Sequence, residues 1–295
     1  MGSNIINKPS FSIIIPTHNT DVVLIQCLDA LSSQSTGTKN FEVIIINDGG
    51  STHIYEKLKF LKSRLTIRYF YQKNRGPAAA RNLGIRNAKG DIILFLDDDS
   101  VPTKDWFECV VNAWERFPDF DGIGGYTKSD VTDSIYCRVN SDFFNWYLTQ
   151  YSDDKFHPFL VTCNAGYRKS VLSSVGNFDE SFKKASGEDR DLNVKISKLG
   201  GKLRLDKNIL VYHDRDLTLH SFIKKHLNYG KAAHKIYAKY PELRYLSHNS
   251  YFDLYRSILK QYHTLKEKLM AFLLLTISQA ATILGYYAVT LSKQE

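Results

Sequence analysis

The sequence predicts an α/β fold in which a mixed, mostly parallel sheet is flanked by helices and followed by a C-terminal helical extension. Short apolar runs alternate with amphipathic stretches across residues 10–100, and polar or small residues end each run. A long uncharged stretch lies near the end of the chain. This alternation is typical of parallel strands joined by right-handed helical crossovers.

Four strands are predicted from runs rich in β-branched and aromatic residues, a composition typical of strands buried on both faces. They cover residues 11–16, 41–46, 67–71 and 92–96. Helices are predicted between them, at residues 22–31, 55–61 and 78–88. The carboxyl ends of such strands meet at one edge of a sheet, where open α/β folds bind ligands.

The fourth strand ends in three consecutive carboxylates, Asp97, Asp98 and Asp99. Adjacent anions repel one another, and hard oxygen ligands suit Mg²⁺ or Mn²⁺. One interpretation is therefore a metal site. The alternative is a solvated acidic turn that caps the next helix.

Other polar residues fall at the same predicted edge. Asp48 can accept a hydrogen bond from a base or ribose, and Asp97 can accept one from a ribose hydroxyl. Arg81, in the Ala-rich third helix, can donate to a base or diphosphate. Each also has a structural alternative, a turn or cap for Asp48 and a surface salt bridge for Arg81. The chain has neither GxGxxG after the first strand nor GxxxxGK[ST]. The sequence signatures of dinucleotide-binding dehydrogenases and of P-loop NTPases are therefore absent.

Two later motifs carry further candidates. Glu188 and Asp189 follow Gly187 at the start of a predicted helix, where they either cap the helix or present a general base. His213 follows a short apolar run, and it is either structural or a metal ligand beside Asp99. Residues 142–151 are rich in aromatic side chains, which favours a core position but also permits stacking on a sugar or lipid acceptor.

Charge and hydropathy single out the C-terminal region. The net charge is +8, and residues 195–270 hold 16 Lys or Arg against 6 Asp or Glu. Residues 269–292 carry no charge, so this segment is a buried helix, an interfacial helix or a single membrane span. Either membrane alternative places the basic region on the cytoplasmic side. We expect no signal peptide, and scattered cysteines without CxxC spacing predict reduced thiols.

The motifs together resemble the family 2 glycosyltransferases, which have the GT-A fold. The resemblance covers about residues 10–240, and its motifs occupy residues 13–19, 46–51, 74–82, 95–99, 176–180, 187–192 and His213. It implies a nucleoside-diphosphate sugar donor, most often a UDP-sugar, and inversion at the anomeric carbon. The acceptor would be a hydroxyl of a glycan or lipid-linked molecule in polysaccharide or glycolipid biosynthesis.

The resemblance also implies roles for particular residues. Asp189 matches the usual base with Glu188 beside it, and Asp99 matches a direct ligand of Mn²⁺ or Mg²⁺, with His213 as a further ligand. The residues implied at the nucleotide are Pro16, Thr17, Asn19, Asp48, Arg81, Asp97 and Asp98. Two residues depart from the family pattern: Asn47, where many members have Asp, and Asn177, where Gly is commoner.

We predict a catalytic domain at residues 1–240, with a nucleotide-binding half at about 10–100 and an acceptor half at about 101–240. Residues 241–295 form a basic helical tail that contains the apolar segment 269–292. The enzyme would work in the cytoplasm, peripheral to or anchored in the inner face of the membrane. The alternatives are a nucleotidyltransferase, or a non-catalytic protein that binds sugar nucleotides or nucleic acid; nucleic acid is not an expected partner.

Overall fold

The computed structural model describes residues 10–34, 41–51, 54–58, 64–129, 134–149, 159–183, 186–213, 217–243 and 248–291. Within these residues, one eight-stranded sheet forms the centre of the protein. Its strands are β1 (Phe11–Thr17), β2 (Phe41–Asp48), β3 (Ile67–Gln72), β4 (Ile92–Phe95), β5 (Val101–Pro102), β6 (Gly122–Lys128), β7 (Ala165–Arg168) and β8 (Leu203–Tyr212).

The strand order is β3-β2-β1-β4-β7-β6-β8-β5. The first four neighbours are parallel, which confirms the predicted strand–helix alternation. β7 then runs antiparallel to both β4 and β6, whereas β6 and β8 are parallel. The mixed α/β sheet predicted from the sequence is therefore confirmed.

Ten α-helices surround the sheet or follow it in the described residues. They are α1 (Asp21–Ser32), α2 (Ile54–Leu58), α3 (Pro77–Asn87), α4 (Trp106–Arg116), α5 (Ile135–Thr149), α6 (Lys169–Ser174), α7 (Glu188–Lys198), α8 (Leu219–Lys239), α9 (His248–Leu259) and α10 (Leu265–Leu291). The predicted helices at 22–31 and 78–88 correspond to α1 and α3. The predicted helix at 55–61 is seen as α2, and residues 59–63 lie outside the described part.

The sheet has an apolar layer on each face because successive side chains of a strand point in opposite directions. Ile13 and Ile15 belong to a cluster that includes residues of α1 and α4. Ile14 belongs to the opposite cluster, with residues of α3 and α7. α3 lies very close to the sheet, since a Cβ at Gly84 would come within 2.4 Å of Ile14 Cγ2. Both faces of the central strands are thus covered.

A separate apolar cluster joins the C-terminal helices to α5. Val139 of α5 and Phe222 of α8 pack with Leu254 of α9 and Leu275 of α10. Helices on both sides of the predicted boundary at residue 240 therefore share one core. The division of the chain at that residue stays a prediction.

α8 and α10 cross with their backbones in contact. A Cβ at Gly230 of α8 would lie 2.0 Å from the Thr282 carbonyl oxygen, and a Cβ at Gly285 of α10 would lie 2.0 Å from the Leu227 carbonyl oxygen. Only glycine, which has no Cβ, leaves room for so close an approach. The two glycines thus fix where these helices meet.

α10 has one buried and one exposed face, although both are apolar. Ala271, Leu275 and Ala281 are buried, whereas Leu273 and Leu284 are exposed. By length and composition, Leu265–Val289 can cross a membrane. The contact with α8 shows that one face of the helix is packed within the protein.

Candidate active site

Polar residues converge at the carboxyl edge of the parallel strands. Pro16 and Thr17 end β1, and Asn19 follows in a left-handed conformation with a φ of 58°. Asp48 ends β2, and Asp97 lies two residues after β4. Because β2, β1 and β4 are neighbours, the sheet brings these predicted nucleotide residues to one edge, as the sequence indicated.

Asp48 organises the loop that leads into α3. Its carboxylate accepts hydrogen bonds from Gln72 Nε2 at 2.7 Å and from the backbone amides of Arg75 and Gly76 at 2.9 and 2.8 Å. Asp48 is buried. The structure thus gives the residue a turn-forming role, and its contact with a base or ribose remains a prediction.

Asn47 orders the loop after β2 through both ends of its amide. Its Oδ1 accepts from the Gly50 amide at 2.7 Å, and its Nδ2 donates to the Ser51 carbonyl and to Tyr69 Oη, both at 2.8 Å. Asn19 Oδ1 accepts from the Ser51 amide at 2.8 Å, so the loops after β1 and β2 are joined. An ionised aspartate at position 47 would have no hydrogen to donate to the Ser51 carbonyl. The asparagine, which departs from the family pattern, therefore adds a hydrogen bond that holds this loop.

Asp97, Asp99 and His213 form a cluster whose ligand atoms all lie within 4.8 Å of one another. His213 Nε2 is 3.2 Å from Asp99 Oδ1 and 3.8 Å from Asp97 Oδ2. The short pairing of β5 with the end of β8 places His213 beside the acidic residues, since Val101 pairs with Tyr212. Two carboxylates and an imidazole suit Mn²⁺ or Mg²⁺. Asp97, predicted as a nucleotide residue, thus also belongs to the candidate metal cluster.

Asp98 lies apart from this cluster. Its Oδ2 accepts a hydrogen bond from Thr20 Oγ1, and Thr20 in turn contacts Thr17 Oγ1 at 2.9 Å. Burial raises the pKa of Asp98 to about 6, although these hydroxyl contacts act to lower it. The middle carboxylate therefore ties the turn to the loop after β1, and its predicted nucleotide contact remains untested.

Arg81 connects the acidic cluster to α7. Its two terminal nitrogens donate to Asp97 Oδ1 at 2.7 Å and to Glu188 Oε1 at 2.8 Å. The Arg81 side chain is only 3% exposed, so this is a buried network and not the surface salt bridge that the sequence left open. The Ser186 amide binds the other Glu188 oxygen at 2.8 Å. Arg81 and Glu188 thus hold the sheet edge and the start of α7 together.

Asp189 lies beside Glu188 but faces a different environment. Its Oδ1 accepts a hydrogen bond from the Arg190 amide at 2.8 Å. Burial raises the pKa of Asp189, and the neighbouring charge of Glu188 raises it further, while Arg81 opposes the shift. A carboxylate with a raised pKa is a stronger base than an ordinary aspartate. Asp189 also lines a cavity.

This cavity, which we call the aromatic cavity, has a volume of about 530 Å³ and lies between α7 and the helices α5, α8, α9 and α10. Such a volume is typical of ligand pockets. The aromatic residues in its wall are Phe143, Phe144, Trp146, Tyr147, Phe159, Tyr229, Tyr237, Tyr251, Tyr286 and Tyr287. The sequence singled out the aromatic residues of α5. It did not reveal the part of the wall that α8, α9 and α10 form, because no motif marks those residues.

The mixed sheet with its flanking helices is a GT-A type fold, and comparisons with solved structures agree. A mannosyltransferase from Pyrobaculum calidifontis, PcManGT, solved with GDP-Man and Mn²⁺, matches with a TM-score of 0.65. The match covers 97% of this chain and 80% of that chain at 16% identity, so it shows the fold alone.

The chain belongs to glycosyl transferase family 2, whose model matches residues 12–176. An uncharacterized glycosyltransferase of Rickettsia felis is 32% identical over 71% of this chain and 34% of its own length. The chain therefore spans about a third of that relative. A dolichyl N-acetyl-α-D-glucosaminyl phosphate 3-β-D-2,3-diacetamido-2,3-dideoxy-β-D-glucuronosyltransferase of Methanococcus voltae is 24% identical over 75% of this chain and 72% of its own length.

Proposed function

We propose that the protein is an inverting glycosyltransferase that moves a sugar from a nucleoside-diphosphate sugar to a hydroxyl of a glycan or lipid-linked acceptor. The observation that carries this proposal is the buried Arg81 bridge, which places the cluster of Asp97, Asp99 and His213 next to the helix that bears Asp189. This bridge supports a donor site at the sheet edge with a base next to it on α7. Family membership favours glycosyl transfer over the nucleotidyltransferase alternative.

The donor would lie along the carboxyl edge of β1, β2 and β4. Pro16, Thr17 and Asn19 would line the nucleotide from the first loop, with Asp48 and Arg81 below it. The resemblance favours uridine as the nucleoside of the donor, whereas the Pyrobaculum structure holds GDP-Man. The titration described below distinguishes these nucleobases. A Mn²⁺ or Mg²⁺ ion held by Asp97, Asp99 and His213 would neutralise charge on the leaving diphosphate.

Asp189 would act as the general base. The acceptor hydroxyl oxygen forms a bond to the anomeric carbon, its proton passes to the Asp189 carboxylate, and the bond from that carbon to the diphosphate oxygen breaks. The nucleoside diphosphate leaves with the electron pair, and the configuration inverts. Glu188, held by Arg81 and the Ser186 amide, would position Asp189 and support its raised pKa.

The acceptor would belong to polysaccharide or glycolipid assembly at the cytoplasmic face of a membrane. The Methanococcus relative is named for a dolichyl-linked phosphate acceptor, which supports a lipid-linked molecule. The exposed apolar face of α10 and the basic residues before it support a position at the membrane surface.

Calorimetric titration of UDP, GDP and dTDP, with and without Mn²⁺, tests the donor site. We expect one nucleotide to bind in a Mn²⁺-dependent manner and Asp99→Asn to abolish that dependence. Asp91→Asn is the matched control, because Asp91 is exposed at the opposite end of β4. Binding of none of the three would refute the donor assignment, and binding without turnover of the matching sugar nucleotide would support the non-catalytic alternative.

A further inference from the structure

We infer that the aromatic cavity binds the apolar chain of a lipid-linked acceptor and presents its head group to Asp189. This inference deepens the proposed function and rests on it, since it names the class of acceptor that Asp189 would activate. It follows from three features: the chemistry of the wall, the opening of the cavity onto an apolar surface, and the charge at its inner end.

The wall of the cavity is mainly carbon. Besides the aromatic rings, it is formed by Val161, Ala232, Ala233, Ile236, Leu254 and Ile283. The two polar residues that α10 contributes make hydrogen bonds on their own helix: Thr282 Oγ1 donates to the Ser278 carbonyl at 2.8 Å, and Gln279 Nε2 to Ser278 Oγ at 3.2 Å. Burying a hydrocarbon chain against such a wall is favourable because it removes apolar surface from water.

The cavity opens onto the exposed apolar face of α10. Ile283 and Tyr287 line the cavity and are nevertheless 56% and 59% exposed. Leu284, 65% exposed, lies beside them on the same face. Exposed apolar area of this kind is unusual on a soluble surface and marks contact with lipid or protein. A chain anchored in a bilayer that contacts this face can enter the cavity without crossing water.

The inner end of the cavity is polar and carries both signs of charge. Asp189 and Arg190 line it together with Ser186. The Arg190 guanidinium lies 5.0 Å from the ring centre of Tyr237 and 5.8 Å from that of Tyr147. Guanidinium groups bind phosphate well. The arrangement therefore suits an acceptor with an apolar chain, a phosphate near Arg190 and a hydroxyl within reach of Asp189.

Tryptophan fluorescence offers a direct test, because Trp146 lines the cavity while Trp106 and Trp114 are buried against the sheet. Farnesyl phosphate, titrated into the full chain below its micelle concentration, is expected to change the emission saturably. Trp146→Phe should remove that change. Ala233→Phe, which fills the cavity from α8, should weaken binding at least about tenfold. Ala238→Phe, on the exposed side of α8, is the matched control and should bind like the wild type.

Ile283→Trp serves as a second filling variant, since its exposed position tolerates a larger side chain. Maltotriose, a sugar without a lipid, should produce no change. The inference is overturned if farnesyl phosphate does not saturate, if both filling variants bind it normally, or if maltotriose competes with it. Nucleotide calorimetry on the same variants separates this outcome from failure of the proposed function, because the filling variants should retain donor binding.

Discussion

The carboxyl edge of the sheet and the aromatic cavity are built in opposite ways. At the edge, polar groups lie at strand ends and bind one another, as in the contacts of Arg81 with Asp97 and Glu188. In the cavity, apolar side chains from four helices meet across long separations in sequence. α7 belongs to both regions, since Glu188 faces the edge and Asp189 faces the cavity. Two adjacent carboxylates can therefore take different roles when the start of a helix separates their environments.

The largest effect expected is on chemistry. Asp189→Asn should lower turnover by about 10²- to 10⁴-fold because it removes the general base, while nucleotide affinity stays unchanged. Hydrolysis of the donor sugar nucleotide, in which water replaces the acceptor, provides the rate, and calorimetry provides the affinity. Loss of both properties would mean that Asp189 has a structural role and is not the general base.

The next effect concerns the packing of the helices. Gly230→Val should destabilise the protein by about 1–3 kcal/mol, because its side chain must displace the backbone of α10 at Thr282. Thermal unfolding measures the change, and Ala238→Val on the exposed side of α8 is the control. We expect nucleotide binding to persist, and its loss would show that the two regions are not separable.

A further loss of stability, of about the same size, is expected at the carboxyl edge of the sheet. Asn47→Asp should destabilise by about 1–3 kcal/mol, since the Ser51 carbonyl and Tyr69 hydroxyl would lose a buried donor. Urea unfolding measures this change, and Asn112→Asp on the exposed side of α4 is the control. Equal stability of the two variants would mean that the Asn47 amide does not hold the loop.

The smallest effect concerns the pH dependence of turnover. Asp189 must be deprotonated to accept a proton, so the rate should fall as the pH falls through its raised pKa. Glu188→Gln removes a negative charge that raises this pKa, and the acidic limb of the pH–rate profile should therefore move to lower pH. Glu242→Gln, exposed and outside the cavity wall, should leave the limb in place. If the acidic limb of the Glu188→Gln variant does not move, the group that titrates in this limb is not Asp189.

The elements between residues 10 and 100 were predicted closely from the sequence because their strands are apolar runs with polar ends. The sequence did not reveal β7, whose four residues, Ala165–Arg168, include a glycine and show no clear alternation. β7 joins the parallel strands to the rest of the sheet through antiparallel pairing on both sides. Its position depends on pairing with β4 and β6, which lie far from it in the chain.

Motifs likewise located the candidate site but not its connections. The run of three aspartates indicated either a metal site or an acidic turn, and the contact of Asp98 with Thr20 is seen only in the structure. Arg81 pairs with Glu188, which lies 107 positions later in the chain, and no local sequence pattern encodes this pair. The aromatic cavity is harder still to predict from the sequence, because helices need apolar positions for packing in any fold.

The close crossing at Gly230 and Gly285 has a geometric consequence. α8 is fixed to α10 by this backbone contact and to α7 by the ion pair of Lys239 with Asp191, whose atoms lie 2.6 Å apart. The distance from the exposed face of α10 to Asp189 is therefore set by rigid elements. If that face rests on a bilayer, the reacting hydroxyl must stand at one fixed height above it. Acceptors would then be distinguished by the length of the segment between their anchor and that hydroxyl.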